Sequence, residues 1–179
     1  MRRYFSRQFL CRPLPLAIIG SIVVLILICA SGVIDLGVTI ANYRPHTYKA
    51  FGPDMEPTIH DGQFLTTQDY GKSNPQRPDI VIFHPPSDPS SVQFKRIIGL
   101  PGESVELTET AVLINGKPLA EPYLAPQHTG NGASGITKLT LKQDQYYVLG
   151  DNRQDSLDSR DFGAVSRSMI MAKVVAISK

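Results

Sequence analysis

An uncharged, apolar run near the N-terminus constrains this 179-residue chain more than any other feature. The run extends from Leu14 to Ile34, and about 20 helical residues are enough to cross the hydrocarbon core of a bilayer. No polar face appears along it, so it does not fit a helix packed on a globular domain. We therefore predict a transmembrane anchor over residues 14–36.

The charges that flank this run predict its orientation. Arginines precede it at positions 2, 3, 7 and 12, whereas Asp35 follows it directly. Because basic residues favour the cytoplasmic side, we expect a cytoplasmic tail over residues 1–13 and a single-pass protein of the cell membrane. The domain over residues 37–179 would then face outward. The alternative is a cleavable signal sequence, whose apolar core would be shorter, at about 7–15 residues.

The rest of the chain has the composition of one turn-rich β domain. The sequence contains 14 glycines and 14 prolines, and its apolar runs are short after the N-terminal segment. The two cysteines, Cys11 and Cys29, lie in or beside the apolar run, so the domain has no internal disulfide and no thiolate metal site. The net charge of +2 gives no indication of nucleic-acid binding.

Short apolar segments separated by turn residues predict a mostly β fold with an antiparallel, curled or barrel-like sheet. The predicted strands are 79–83, 92–98, 104–107, 111–114, 146–149 and 172–177. Asn115 and Gly116 predict a hairpin turn, because both central positions of a type I′ turn favour φ > 0. The polar, glycine-rich stretch 127–135 is interpreted as a loop.

Three further segments, 51–58, 94–103 and 149–163, are more specialised than folding alone requires. Lys95 interrupts an apolar strand, so its amine either extends to water or is buried for a purpose. Burial disfavours the charged form of a lysine and makes its amine usable as a general base. The segment 149–163 is dense in Asp, Asn, Ser and Arg, and could also be a loop held by its own hydrogen bonds.

Together these segments resemble the signature boxes of type I signal peptidases, the bacterial leader peptidases. The boxes read Asp54-Met55-Glu56-Pro57-Thr58, Lys95 to Gly102, and Gly150 to Arg160. Their order and the N-terminal anchor match the family, and the resemblance runs from the anchor to about Val165. It implies a membrane endopeptidase that removes signal peptides from exported preproteins with a serine–lysine dyad and without a cofactor or metal.

The resemblance also implies roles for individual residues. Lys95 would be the general base, and Ser156 would orient it. Asp158 and Arg160 would brace the site. The backbone N–H of Asp54 would stabilise the oxyanion, where Gly52 has no side-chain donor to add.

The substrate of such a peptidase would be an extended segment paired to a strand edge. We expect the strand 79–83 to provide that edge. The expected substrate contacts are Met55, Ile80, Ile82 and Phe83.

Asp54 departs from the family pattern at the nucleophile, where a serine is expected. An aspartate has no proton at pH 7 for a base to remove, and its carboxylate would favour the ammonium form of Lys95. Loss of the serine in another serine protease costs on the order of 10⁶ in rate, so we expect this chain to be inactive. Aspartic-protease chemistry needs a second carboxylate that shares a proton, and the sequence does not place Glu56 or Asp61 for it.

Two other functions stay open at this stage. The chain could be a non-catalytic protein that binds signal peptides or preproteins, or a specialised peptidase for pilin or conjugation substrates. The sequence does not separate a natural Asp54 from a deliberate inactivation. Candidate partners are the lipid bilayer, a secretion translocon and an active paralogue. The scattered histidines lack the spacing of a zinc site.

Overall fold

The computed structural model describes residues 45–125 and 137–178. Both ranges belong to one compact unit, Arg44–Lys179. The predicted anchor over residues 14–36 and the predicted loop over residues 127–135 lie outside the described residues. Within the described ranges, no helix has both the length and the hydropathy that a membrane span requires.

The described residues form an antiparallel β fold, which confirms the predicted class. The strands are β1 (His46–Lys49), β2 (Phe64–Asp69), β3 (Ile80–Phe83), β4 (Gln93–Gly99), β5 (Ser104–Leu107), β6 (Val112–Ile114), β7 (Lys117–Pro118), β8 (Thr137–Thr140), β9 (Gln145–Leu149), β10 (Val165–Ser166) and β11 (Ile170–Ser178). A short helix, α1 (Ser159–Phe162), follows β9, and a 3-10 turn at Arg167–Met169 precedes β11.

The strands build two sheets. Seven strands form a sheet in the order β1-β2-β11-β3-β4-β9-β10, and four form a sheet in the order β7-β6-β5-β8. In the larger sheet β1 and β4 are separated by three strands, yet residues from both line one cavity. The larger sheet is therefore curled, as predicted.

Strand β4 runs through the interior and is buried on both faces. Its alternate side chains enter two hydrophobic clusters: Ile97 packs with Val81 of β3, and Ile98 packs with Val105 of β5. A strand buried on both faces has a continuous apolar run rather than an alternating one. Lys95 and Arg96 belong to this run and are carried into the interior with it.

The six predicted strands are confirmed, and their ends shift by at most two residues. The turn between β6 and β7 is also confirmed, since Asn115 and Gly116 have φ values of 51° and 77°. Strands β1, β2 and β8 escape prediction because threonine, lysine, histidine and glutamine occupy many of their positions. Pairing with neighbouring strands holds these polar segments in the sheets.

The prediction that residues 79–83 form an edge strand is wrong. Strand β3 lies between β11 and β4, so that Val81 pairs with both Lys173 and Lys95. Three of its four residues are buried, as expected for an apolar run at the centre of a sheet. Its backbone therefore has no free edge for a substrate. The edges of the larger sheet are β1 and β10.

Candidate active site

Asp54 lies in the turn that connects β1 to β2. The Gly62 N–H donates to the Ala50 carbonyl at 2.9 Å and closes the base of this turn. Gly52 has a φ of +84°, a conformation that glycine adopts without steric cost. Met55 is fully buried in a hydrophobic cluster and anchors the turn from below. The Asp54 side chain therefore projects from a turn that is held at its ends by this hydrogen bond and near its middle by the buried Met55 side chain.

The structure brings Asp54 and Lys95 together. The Lys95 Nζ donates to Asp54 Oδ2 at 2.6 Å. The Lys95 side chain is 1% exposed and the Asp54 side chain is 31% exposed. A buried ammonium is costly unless it is paired, and here the Asp54 carboxylate is its partner. The arrangement is an ion pair, not a hydroxyl nucleophile beside a neutral amine.

The next residue of β4 makes a second ion pair that joins all three sequence boxes. Arg96 Nε and Nη2 donate to the two carboxylate oxygens of Asp151 at 2.8 and 2.5 Å. The Thr58 hydroxyl donates to the same carboxylate at 2.5 Å, and Arg96 Nη1 donates to the Pro78 carbonyl at 3.0 Å. The guanidinium also lies 4.0 Å from the ring centre of Tyr123. This network fixes the relative positions of the boxes.

The predicted Asp158 and Arg160 are brought together in the third box. Asp158 Oδ2 accepts from Arg160 Nη2 at 2.8 Å and from the Gly150 N–H at 3.0 Å, and Asp158 also caps α1. Burial alone would lower the pKa of Arg160, but the hydrogen bonds and charge of Asp158, with the charge of Asp161, raise it. The Arg160 guanidinium is therefore held in its charged form beside Asp158.

The third box packs directly on the backbone of the Asp54 turn. The Asn152 N–H donates to the Asp54 carbonyl at 3.0 Å. A Cβ on Gly150 would lie 2.5 Å from that carbonyl oxygen and 2.2 Å from Ser156 Oγ, so only glycine fits this contact. The Ser156 hydroxyl is buried and has no hydrogen-bond partner among the described residues. The structure thus places Ser156 beside the turn, without the expected hydrogen bond to the Lys95 amine.

A cavity of about 560 Å³ opens beside the Asp54–Lys95 pair. It is lined by Thr47, Tyr48, Lys49, Phe51, Asp54, Ile82, Val92, Gln93, Phe94 and Lys95. Among the described strands, β1 pairs only with β2, and the first three residues of β4 pair only with β3, since β9 ends at Leu149, opposite Arg96. The cavity therefore lies beside two open strand edges.

The predicted substrate contacts are only partly in this cavity. Ile82 lines it, whereas Met55 lies in the hydrophobic cluster below, Ile80 packs on that cluster, and Phe83 is buried in another cluster. The lining residues that sequence reasoning missed come just before Asp54 and just before Lys95. Their position in the sequence, next to the boxes that contain Asp54 and Lys95, could have indicated that they line the cavity. Among the described residues, no group of three or more His, Cys, Asp or Glu could hold a metal ion.

Comparisons with known proteins agree with this geometry. The family described as "Signal peptidase, peptidase S26" matches residues 17–178. Signal peptidase I of Bacillus licheniformis is 38% identical over 138 residues, which cover 70% of this chain and 72% of the relative. Signal peptidase I of Leptolyngbya laminosa is 36% identical, with 81% and 73% covered.

A solved structure is also similar. The crystal structure of a signal peptidase I from Enterococcus faecalis V583 has a TM-score of 0.51 and 35% identity, and the match covers 57% of this chain and 98% of that one. The family match spans most of the chain, and the relatives exceed 30% identity over two thirds of it. This chain belongs to the signal peptidase family, peptidase S26.

Proposed function

We propose that this chain binds signal peptides of exported preproteins in the cavity beside Asp54 and does not cleave them. The observation that carries the proposal is the 2.6 Å ion pair between Lys95 Nζ and Asp54 Oδ2. In this ion pair, the residue at the nucleophile position and the residue expected to be the general base are bound to each other. The substrate class follows from the relatives, which are signal peptidases.

The chemistry of the dyad explains why this pair would be inactive. A serine at position 54 would present its hydroxyl to the Lys95 amine, which would take the proton as the oxygen attacks the scissile carbonyl. The Asp54 carboxylate has no proton to give, and its ion pair with Lys95 engages the amine that would have to accept one. The nucleophile and the base are therefore lost together.

The surroundings of the pair support an intact scaffold. The hydrogen bonds of the turn leave the Asp54 N–H without an acceptor among the described residues, as an oxyanion donor requires. The Gly52 N–H already donates to Asp61 Oδ1 at 3.0 Å, so it is not a free second donor. The pairs Arg96–Asp151 and Asp158–Arg160 remain in place around the site.

The open edges of β1 and β4 support binding of an extended peptide. Both edges border the cavity, and a peptide strand placed there could use their unpaired backbone groups. The lining includes the apolar side chains of Phe51, Ile82, Val92 and Phe94, which suit small apolar side chains at alternate peptide positions.

We also propose that residues 14–36 anchor the chain in the cell membrane, with the N-terminus in the cytoplasm. The uncharged run and the arginines before it support this orientation. An externally added protease should then digest the domain in spheroplasts, while a tag before residue 13 stays protected. Protection of the domain would contradict this topology.

The central test compares the full chain with its Asp54→Ser variant on a purified preprotein in detergent. We expect the unchanged chain to bind signal peptide without cleavage, and the variant to cleave it at a rate up to about 10⁶-fold higher. The matched control is the double variant Asp54→Ser with Lys95→Met, which keeps the hydroxyl but lacks the base and should be inactive.

The outcomes separate the parts of the proposal. Equal cleavage by the unchanged chain and by Asp54→Ser would contradict the claim that Asp54 disables the site. Binding by both with cleavage by neither would show a binding protein whose catalytic geometry is lost beyond residue 54. Absence of signal-peptide binding by both would overturn the binding function itself.

A further inference from the structure

The Asp54–Lys95 pair presents its two charges unequally to the cavity. The Lys95 side chain is 1% exposed, whereas the Asp54 side chain is 31% exposed. Both residues line the cavity, so a ligand that reaches this end of it meets the carboxylate before the ammonium. The charge that a ligand can reach is therefore negative, although the pair as a whole is neutral.

One oxygen of this carboxylate remains open to a ligand. Asp54 Oδ2 accepts from Lys95 Nζ at 2.6 Å, and Asp54 Oδ1 has no hydrogen-bond partner among the described residues. A Cβ at Gly52 would stand 3.4 Å from Oδ1, so the missing side chain leaves space beside this oxygen. Because a carboxylate oxygen only accepts hydrogen bonds, this end of the cavity favours an N–H donor and disfavours a second carboxylate.

Lys49 is the other charged residue of the cavity lining, and it does not reverse this preference. Its Nζ lies 5.5 Å from the ring centre of Phe51. Lys49 is exposed, so water and salt screen its attraction for an anion. Asp54 is less exposed than Lys49 and is screened less, so its charge dominates the end of the cavity where it lies.

The two forms of a signal peptide differ in the group that they would bring to Asp54. Before cleavage, an amide joins the signal peptide to the mature chain, and its N–H can donate a hydrogen bond. After cleavage, the signal peptide ends in a carboxylate, which is an anion and has no donor. Asp54 would accept a hydrogen bond from the first form and repel the second.

We propose that Asp54 makes this chain selective for uncleaved preproteins over free, cleaved signal peptides. The inference rests on the proposed function, because it needs a signal peptide in the cavity with its junction beside residue 54. The substitution that removes the nucleophile would then also exclude the product that a signal peptidase releases.

The test compares three fluorescent peptides that share one signal sequence and bind to the full chain in detergent. The first ends at the junction as a free acid, the second ends there as an amide, and the third continues into the mature chain and ends as an amide. We expect the second and third to bind roughly tenfold more tightly than the first, as measured by fluorescence anisotropy.

Two variants identify the charge responsible. Asp54→Asn keeps the size of the side chain and removes its charge, so the preference should vanish, or reverse because Lys95 is then open to the free acid. The matched control Asp69→Asn makes the same change at an exposed position on β2, outside the cavity lining, and should keep the full preference. Circular dichroism confirms that each variant is folded.

Failure of this inference differs from failure of the proposed function. Equal binding of the three peptides by the unchanged chain, or tighter binding of the free acid, would overturn the selectivity and leave the binding function standing. A preference that persists in Asp54→Asn would overturn the role of Asp54. If none of the three peptides binds to the unchanged chain, the proposed function fails as well.

Discussion

Lys95 and Arg96 are neighbours in one strand, and each pairs with an aspartate from a loop, but the two pairs have different structures. Arg96 and Asp151 are buried on both sides, at 8% and 1% exposure, and share two hydrogen bonds. Lys95 and Asp54 share one hydrogen bond, and the aspartate is open to the cavity. The first pair is part of the scaffold, and the second is placed where a ligand can reach it.

The difference follows from the number of partners that each carboxylate has. Asp151 accepts hydrogen bonds from Thr58 as well as from Arg96, and these three bonds offset the cost of burying its carboxylate. Asp54 has Lys95 alone among the described residues and keeps contact with solvent. A change at Asp54 therefore alters chemistry with little effect on folding, whereas a change at Asp151 alters folding first.

The largest expected effect is on the free energy of unfolding, when the same substitution to methionine is made at Arg96 and at Lys95. Arg96→Met leaves Asp151 buried and uncompensated, so we expect it to lower the free energy of unfolding by about 3–5 kcal/mol. Lys95→Met leaves Asp54 in contact with the cavity solvent, so we expect a change within about 1 kcal/mol. Denaturant unfolding followed by circular dichroism measures both. Equal losses would show that the pairs are not different in kind.

A smaller effect should appear where the scaffold touches the Asp54 turn. The Cβ of Gly150→Ala would overlap Ser156 and the Asp54 carbonyl oxygen, so the turn must shift. We expect a loss of about 1–3 kcal/mol in stability and weaker peptide binding, and slower cleavage when Asp54→Ser is also present.

The control for this change is Gly116→Ala, where a new Cβ has no atom within 4 Å. Its positive φ makes it mildly destabilising, but peptide binding should be unchanged. Unaltered binding in Gly150→Ala would contradict the view that this contact positions the site.

The smallest expected effect is on stability at alkaline pH, and it concerns Tyr123, whose ring packs on Arg96. Burial raises the pKa of Tyr123, and the adjacent Glu121 raises it further. The unfolded chain ionises this tyrosine near pH 10, so its contribution to stability is complete below about pH 10 and is lost as the pH rises above it. We expect a loss of at most about 1.4 kcal/mol per pH unit.

Tyr123→Phe tests this assignment. The ring still packs on Arg96, but no hydroxyl remains to ionise. The decline in stability between pH 10 and 11 should be shallower than in the unchanged chain. An identical slope would assign the decline to Tyr70 or Tyr147, whose pKa values burial also raises.

Much of the fold could be predicted because its strands have local signals. The apolar run of β3 and the Asn115–Gly116 turn follow from side-chain burial and backbone conformation at single residues. Strands β1 and β2 could not be predicted, since their polar residues show no alternation that separates a strand from a loop. They are strands because neighbouring strands pair with them.

Some residues of the candidate site could likewise be predicted from the sequence, and others could not. Asp54, Lys95, Asp158 and Arg160 could be selected because their boxes have a characteristic order and spacing. The cavity lining could not be selected, because it depends on which strand edges stay open. Strand 79–83 was expected at an edge and is central, since the long-range partner β11 covers it.

The sequence by itself determined the family, the β class and the absence of a hydroxyl at residue 54, because these follow from residue identities and their order. Only the tertiary structure decided that the Asp54 carboxylate meets the Lys95 amine at 2.6 Å, that Arg96 is held by Asp151, and that Asp54 is more exposed than Lys95. These contacts join residues far apart in the chain. Their energies depend on burial and distance, which arise only when the sheet curls and brings β1 and β4 to one cavity.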